Sequence, residues 1–212
     1  SYNTGVGYAA GTAMTTGIQN TLIGGLAGDA LTTGSNNIAI GVLALSAEDT
    51  GGKSIAVGMQ ALAAQNYDGD AYNVAVGHQA GLAVTTGVNN TLVGGLAGDA
   101  LTTGDNNIAI GYKALSTSVD GDYNVAIGHS ALEDYEGGDG EGNNTAVGSK
   151  SQLNATTGEF NTSLGSLSIG SGATTGDANV ALGYKSGYAL TAGAANTAVG
   201  YESLMTEDAN GG

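Results

Sequence analysis

The sequence predicts an all-β chain, one parallel β-solenoid of about twelve 17-residue coils that fills residues 1–212 as a single repeat domain. Three observations carry this expectation. A pentamer, Asn-x-small-(Val/Ile/Leu)-Gly, recurs in phase from one end of the chain to the other. Its second and fourth positions are β-branched or aliphatic in every copy, and its fifth is always Gly. Most copies then pass through a turn signal, usually Thr-Thr-Gly, before the next Asn.

The pentamer begins at Asn3, Asn20, Asn37, Asn73, Asn90, Asn107, Asn124, Asn144, Asn161, Asn179 and Asn196, with Ser54 standing for Asn in the fourth copy. Successive starts are 17 residues apart except for single spacings of 19, 20 and 18. No linker interrupts the series. Counting Asn as position one, position two is Thr, Val or Ile, position four is aliphatic, and position eight is Ala or Ser throughout. β-Branched residues at alternate positions closed by Gly read as a short strand and a turn. A helix is a poor reading, because each unit carries several Gly and β-branched residues. Stacked coils turn identical columns into ladders. Asn20, Asn37, Asn73, Asn90, Asn107 and Asn124 form an amide ladder expected to bond along the axis. Gly24, Gly41, Gly58, Gly77, Gly94 and Gly111 permit a backbone turn with positive φ.

One chain is expected not to suffice. Positions two to four contain no Asp, Glu or Lys in any copy, whereas a strand with one solvated face alternates apolar with polar. One face fills the inside of the coil. The opposite face, carrying Ala and an occasional Leu (Leu22, Leu92), is expected to need a cover, and a copy of the same chain is the natural one.

Asn37-Ile38-Ala39-Ile40-Gly41, Asn73-Val74-Ala75-Val76-Gly77 and Asn196-Thr197-Ala198-Val199-Gly200, each followed three residues later by Ala or Ser, resemble the head repeats of YadA-like trimeric autotransporter adhesins. The longer form, Thr-Thr-Gly-x-Asn-Asn-Thr/Ile-x-(Val/Ile)-Gly-Tyr-x-Ala, is similar to arrays in phage tail fibres and related viral surface fibres. The resemblance covers all twelve coils. It implies a left-handed β-roll, one strip per chain, assembled as a homotrimer about the fibre axis. It also implies an extracellular place, on a virion surface fibre or a bacterial cell surface, with a cell-surface glycan or protein receptor as partner. The 17-residue coil is longer than the usual autotransporter head repeat, which tilts the resemblance toward the fibre group.

Composition narrows the chemistry. Four Lys, no Arg and 19 Asp+Glu give a net charge of −15, so no nucleic acid and no anionic membrane surface is expected as partner. No Cys occurs, which removes disulfides, thiolate metal sites and Cys nucleophiles. With two His, a zinc site is not expected. No apolar run approaches a membrane span, so direct membrane insertion is not expected. Ser1 opens no signal peptide, so targeting is expected to be supplied elsewhere, or the chain to be a processed piece. Leu, Ile, Val and Phe make up about 19%, which with this charge would ordinarily mean disorder. The phased repeat argues for order instead.

Two columns suggest sites. Residues 20–46 and 90–116 are nearly identical text and differ only at Ile23/Val93, Ser35/Asp105, Val42/Tyr112 and Leu43/Lys113. Positions six and seven, which tolerate the last two changes, are therefore expected to face solvent. Position six gathers Tyr8, His78, Tyr112, His129, Tyr184 and Tyr201, whose planar rings with polar tips suit sugar contacts. They equally suit capping of the coil corner. His78 and His129 lie three coils apart, about 14 Å by strand spacing, too far to share a metal ion. Glu48-Asp49, Asp68-Gly69-Asp70, Asp120-Gly121-Asp122 and the run from Glu133 to Glu141 read as protruding solvated acidic loops rather than calcium loops, since none matches a calcium-binding pattern. No catalytic residues and no cofactor are expected. The chain holds no nucleophile elbow and no Arg clamp, and its paired carboxylates sit in Gly-rich loops without an apolar pocket.

The expected function is a structural and adhesive segment of an extracellular trimeric fibre. The head of a bacterial trimeric adhesin is the neighbouring reading. An ice-binding solenoid is the alternative from another class, supported by Thr at position two in half the coils and opposed by Ile or Val in the rest.

Overall fold

Each pentamer forms a three-residue strand over positions two to four, where β-branched side chains favour the pleated backbone. In the computed structural model, which describes residues 2–137, 142–170 and 172–205, these strands run from β1 (Thr4–Val6) and β2 (Thr21–Ile23) through β3 (Ile38–Ile40), β4 (Ile55–Val57), β5 (Val74–Val76), β6 (Thr91–Val93), β7 (Ile108–Ile110), β8 (Val125–Ile127), β9 (Thr145–Val147), β10 (Thr162–Leu164), β11 (Val180–Leu182) and β12 (Thr197–Val199). They form one parallel sheet in sequence order. Every column pairs with itself: Ala39 opposes Ala56, and Ile108 opposes Val125. A parallel neighbour requires the chain to travel round before the next strand. Here the return is the rest of the 17-residue coil, and the architecture is a β-solenoid.

Hydrogen bonds pass from coil to coil all round the circuit. At the strand, Gly111 N–H donates to the Val93 carbonyl at 2.8 Å; on the return, Gly98 N–H donates to the Ala114 carbonyl at 2.9 Å. Redirecting these groups along the axis needs sharp corners. The position-five glycines adopt φ of 121° to 143°, and a Cβ on Gly111 would strike the carbonyl of Gly128 in the next coil. Position seven is left-handed in all twelve coils, with φ of 51° to 59°. The residues before Asn, such as Asn36, Asn89 and Asn106, are left-handed as well. Left-handed geometry costs L-residues of order 1 kcal/mol each, and the ladder bond each corner makes offsets it.

The interior corrects one expectation. Position three, expected to face outward, is the inward column: Leu22, Ala39, Ala56, Ala75, Leu92, Ala109 and Ala126 are buried. Positions two and four point outward and remain half-buried or exposed in every strand. The inside of the coil is narrow, so Ala fits there. Column eight lies opposite and is also buried, as Ala in Ala27, Ala44, Ala97 and Ala114 and as Ser in Ser151, Ser168 and Ser186. Positions nine and twelve alternate in character. Coils with Gly at nine (Gly28, Gly98) place Leu31 or Leu101 at twelve, and a Cβ on Gly28 would lie 2.8 Å from Leu31. Where nine is Leu45, Leu62 or Leu115, position twelve is Glu48, Gln65 or Ser118, all buried.

The Asn ladder also differs from expectation. Its bonds run mainly through the backbone. Asn90 Oδ1 accepts the backbone N–H of Asn107 at 2.9 Å, while Asn90 Nδ2 donates to the carbonyl of Gly104 in its own coil at 2.8 Å. Asn20, Asn37 and Asn107 repeat this pair of bonds. Amide-to-amide contacts accompany it only in places, as from Asn124 to Asn107 at 3.2 Å. At Ser54 the missing amide is replaced from inside: Gln65 Nε2 donates to Ser54 Oγ at 2.9 Å, and Gln65 Oε1 accepts from Asn73 at 2.9 Å.

Candidate functional site

Position six follows the Gly that ends each strand, so its side chain leaves the coil at a corner. All six aromatic and imidazole residues there are exposed: Tyr8, His78, Tyr112, His129, Tyr184 and Tyr201. The structure brings two pairs together along the axis. The rings of Tyr112 and His129 are 5.6 Å apart and tilted by 32°, and those of Tyr184 and Tyr201 are 5.5 Å apart and stacked. Such pairs contribute about 0.5–1.5 kcal/mol beyond burial, so ring packing between coils and an exposed aromatic face occur together. Tyr8 and His78 make no ring pair among the described residues. Position seven is only partly solvent-facing; Lys150 is exposed there, whereas Ser130 is buried.

Lys side chains sit beside the aromatic corners. Lys185 lies over the rings of Tyr184 and Tyr188, at 5.4 Å from each centroid. Lys113 Nζ contacts Glu133 Oε1 at 3.1 Å, across one coil. That hydrogen bond raises the Lys113 pKa above the ordinary lysine value. Burial opposes ionisation of Glu133, yet bonds from Ser130 and Lys113 draw its pKa below the usual carboxylate range. Burial raises the pKa of nearby Asp99. On the other edge of the sheet, Lys53 reaches Asp70 at 2.7 Å and the Tyr72 hydroxyl at 2.9 Å, and these bonds raise its pKa strongly.

The acidic segments divide into structural and exposed groups. Glu48, expected in a solvated loop, is buried, because position twelve is an interior column. Its carboxylate accepts from Gly51 N–H at 2.7 Å, from Gln65 Nε2 at 3.0 Å and from Tyr67 N–H at 3.3 Å. Asp122 Oδ1 accepts from Asp105 N–H, and Asp105 Oδ1 from Val88 N–H, both at 2.7 Å. Ser35 Oγ fills the same role toward Ile18 N–H at 3.1 Å, so the Ser35/Asp105 difference between the twin segments preserves an acceptor. This second ladder went unseen in the sequence; its signal was an Asp or Ser two residues before Asn. Asp68 and Asp70 are exposed. Of the Glu133–Glu141 run, residues 138–141 lie outside the described residues. Among the described residues, no group of three or more His, Asp and Glu is arranged to hold a metal ion. No helix there is long and apolar enough to cross a membrane.

The outward columns two and four lie between these corners. They present Ile40, Ile55, Val57, Val74, Ile108 and Ile110 in a row along the sheet, half-buried or exposed. Tyr72, Tyr123 and Phe160, exposed before their Asn residues, flank the row on the side opposite position six. No protein-family model, curated protein or solved structure matches this chain.

Proposed function

We propose that this chain is a structural and adhesive segment of an extracellular trimeric fibre, a viral tail or surface fibre, that attaches to a host receptor or glycan. The observation that carries this reading is the uncharged outward face of the sheet. In a chain of net charge −15, columns two and four hold only Thr, Val, Ile and Leu along twelve strands. Twelve strands at 4.8 Å spacing extend about 53 Å. A three-residue strand spans about 10 Å, so the strands alone offer about 500 Å² per chain, and the flanking Tyr72, Tyr123 and Phe160 widen the face toward the roughly 800 Å² that a stable interface buries on each partner. Like-charged chains associate best through such a face, since their carboxylates stay apart in solvent. Three copies round one axis cover it and leave the position-six corners outward.

The long unbranched rod suits a spacer, and the exposed Tyr and His corners suit attachment. The bacterial adhesin head shares the same scaffold and differs in what flanks it. For ice binding, a flat Thr row is needed; Ile and Val interrupt column two, and Thr hydroxyls of the turns, such as those of Thr85 and Thr102, are donated to the next coil. Attachment is tested by applying the fluorescent protein to panels of intact bacterial and animal cells. Saturable binding that persists from about 50 to about 500 mM salt is expected of neutral contacts made by an acidic protein. Binding to no cell type would contradict the adhesive role.

A further inference from the structure

The twin segments form an internal experiment. Residues 20–89 and the segment beginning at Asn90 share much of their interior: Ala44 and Ala114, Leu45 and Leu115, Ala61 and Ala131, Leu62 and Leu132 are identical and buried, while at position twelve Ser118 and Tyr135 replace Glu48 and Gln65. At one corner they part company. Val42, Leu43, Met59 and Ala63 of the first segment correspond to Tyr112, Lys113, His129 and Glu133 of the second. Four apolar side chains have become two rings and an ion pair on the same backbone, and the new groups touch one another. Tyr112 packs on His129 at 5.6 Å, and Lys113 bonds Glu133 at 3.1 Å.

Glycines sharpen the contrast. A Cβ placed on Gly25, in the first segment, meets nothing within 4 Å, whereas one on the equivalent Gly95 lies 3.5 Å from Tyr112 Cδ2. Tyr112 therefore leans over Gly95 on one side and meets His129 on the other. The platform crosses three coils, about 10 Å along the axis by strand spacing. Tyr112 remains 49% exposed.

We propose that this corner, built by Tyr112, Lys113, His129 and Glu133, is a saccharide site that takes an uncharged oligosaccharide. The proposal rests on the attachment reading above and narrows it to one place on the chain. Rings with polar edges accept the C–H face of a pyranose while leaving its hydroxyls free. The Lys113–Glu133 pair supplies both donors and acceptors beyond the bond it already makes. Asp99 and Asp134 lie near enough to act electrostatically on this pair or be acted on by it. In a chain of net charge −15, they disfavour sialylated or uronic sugars. Lys113 at the centre disfavours a cationic peptide.

The test uses residues the fold already carries. Tyr112→Val with Lys113→Leu places at two of the four corner positions the side chains that the first segment carries there, Val42 and Leu43, so the double variant is expected to fold and assemble as the parent does. Both proteins are applied to a printed array of neutral and sialylated oligosaccharides, and hits are confirmed with the free sugar by saturation-transfer NMR. The expected result is binding to neutral sugars that falls at least tenfold in the double variant, with sedimentation mass unchanged and the thermal midpoint lowered by no more than about 5 °C. A reciprocal chain with Val42→Tyr, Leu43→Lys, Met59→His and Ala63→Glu should bind about twice as many sugars per chain. Equal binding by parent and double variant overturns the site, as does a preference for sialylated sugars. Cell attachment without any glycan hit overturns the site and leaves attachment standing; loss of both overturns the two together.

Discussion

Asn at position one is held by what only a carboxamide supplies. Asn107 accepts from the backbone of Asn124 at 2.9 Å and donates to Gly121 at 2.8 Å, joining two coils and closing its own turn. Asn107→Asp removes the donor and sets a buried carboxylate against a carbonyl. The expected loss is about 2–3 kcal/mol, measured by denaturant unfolding. The neighbour Asn106, half-buried and left-handed, is the control: Asn106→Asp should change stability by under about 0.5 kcal/mol. Equal losses would contradict the ladder. The Asn and Gly columns were legible in the sequence, because their repetition admits few other roles. The left-handed corners at position seven were not. Leu26, Leu43 and Leu96 occupy them, and no local propensity favours Leu there. The bond from Leu26 N–H to the Tyr8 carbonyl at 2.8 Å is a stacking effect, invisible in one coil read alone. Glu48 was misplaced for a related reason: position twelve is an inward column from Leu31 to Ala155, and the composition of one loop does not reveal that.

At the scale of the strand, period-two alternation identified two faces but not which one turns inward. Both are uncharged, so polarity could not decide. Size decides instead. The coil interior admits Ala39 or Ala109, with Leu22 and Leu92 where Gly28 and Gly98 make room, and the larger Val and Ile side chains go outside. Glutamate substitutions separate the faces. Ala109→Glu places an unpaired carboxylate inside the coil, a cost of several kcal/mol, and should abolish folding of the central coils by circular dichroism. Ile110→Glu, on the outward face, should keep the far-ultraviolet spectrum and lose assembly. Equal damage to folding from both would show that column four is also interior. The position-six corner was legible as exposed, from the Val42/Tyr112 difference. The pairing of the adjacent Lys113 with Glu133 was not, because the partners are 20 residues apart and meet only when coils stack.

Over the whole molecule, each coil contacts its neighbours and little else, so stability should be roughly additive along the rod. Gln19 and Asn89 occupy the same left-handed corner, with φ of 60° and 58°. Deleting residues 20–89 therefore joins Gln19 to Asn90 in phase and lets Asn3 accept from Asn90 as it does from Asn20. The shortened chain should fold and assemble, about 19 Å shorter by strand spacing, as read by small-angle scattering. Deleting residues 20–81 shifts strand positions onto turns and should yield aggregate. The repeat itself and the parallel order of its strands were readable from phase alone. The proposal that chains combine through the outward face is tested most directly by sedimentation equilibrium of the intact chain beside Ile110→Glu at micromolar concentration. The account expects a parent particle of about 62 kDa, three times the 20.5 kDa chain, and a folded variant of smaller mass. A monodisperse parent monomer of 20.5 kDa would contradict it.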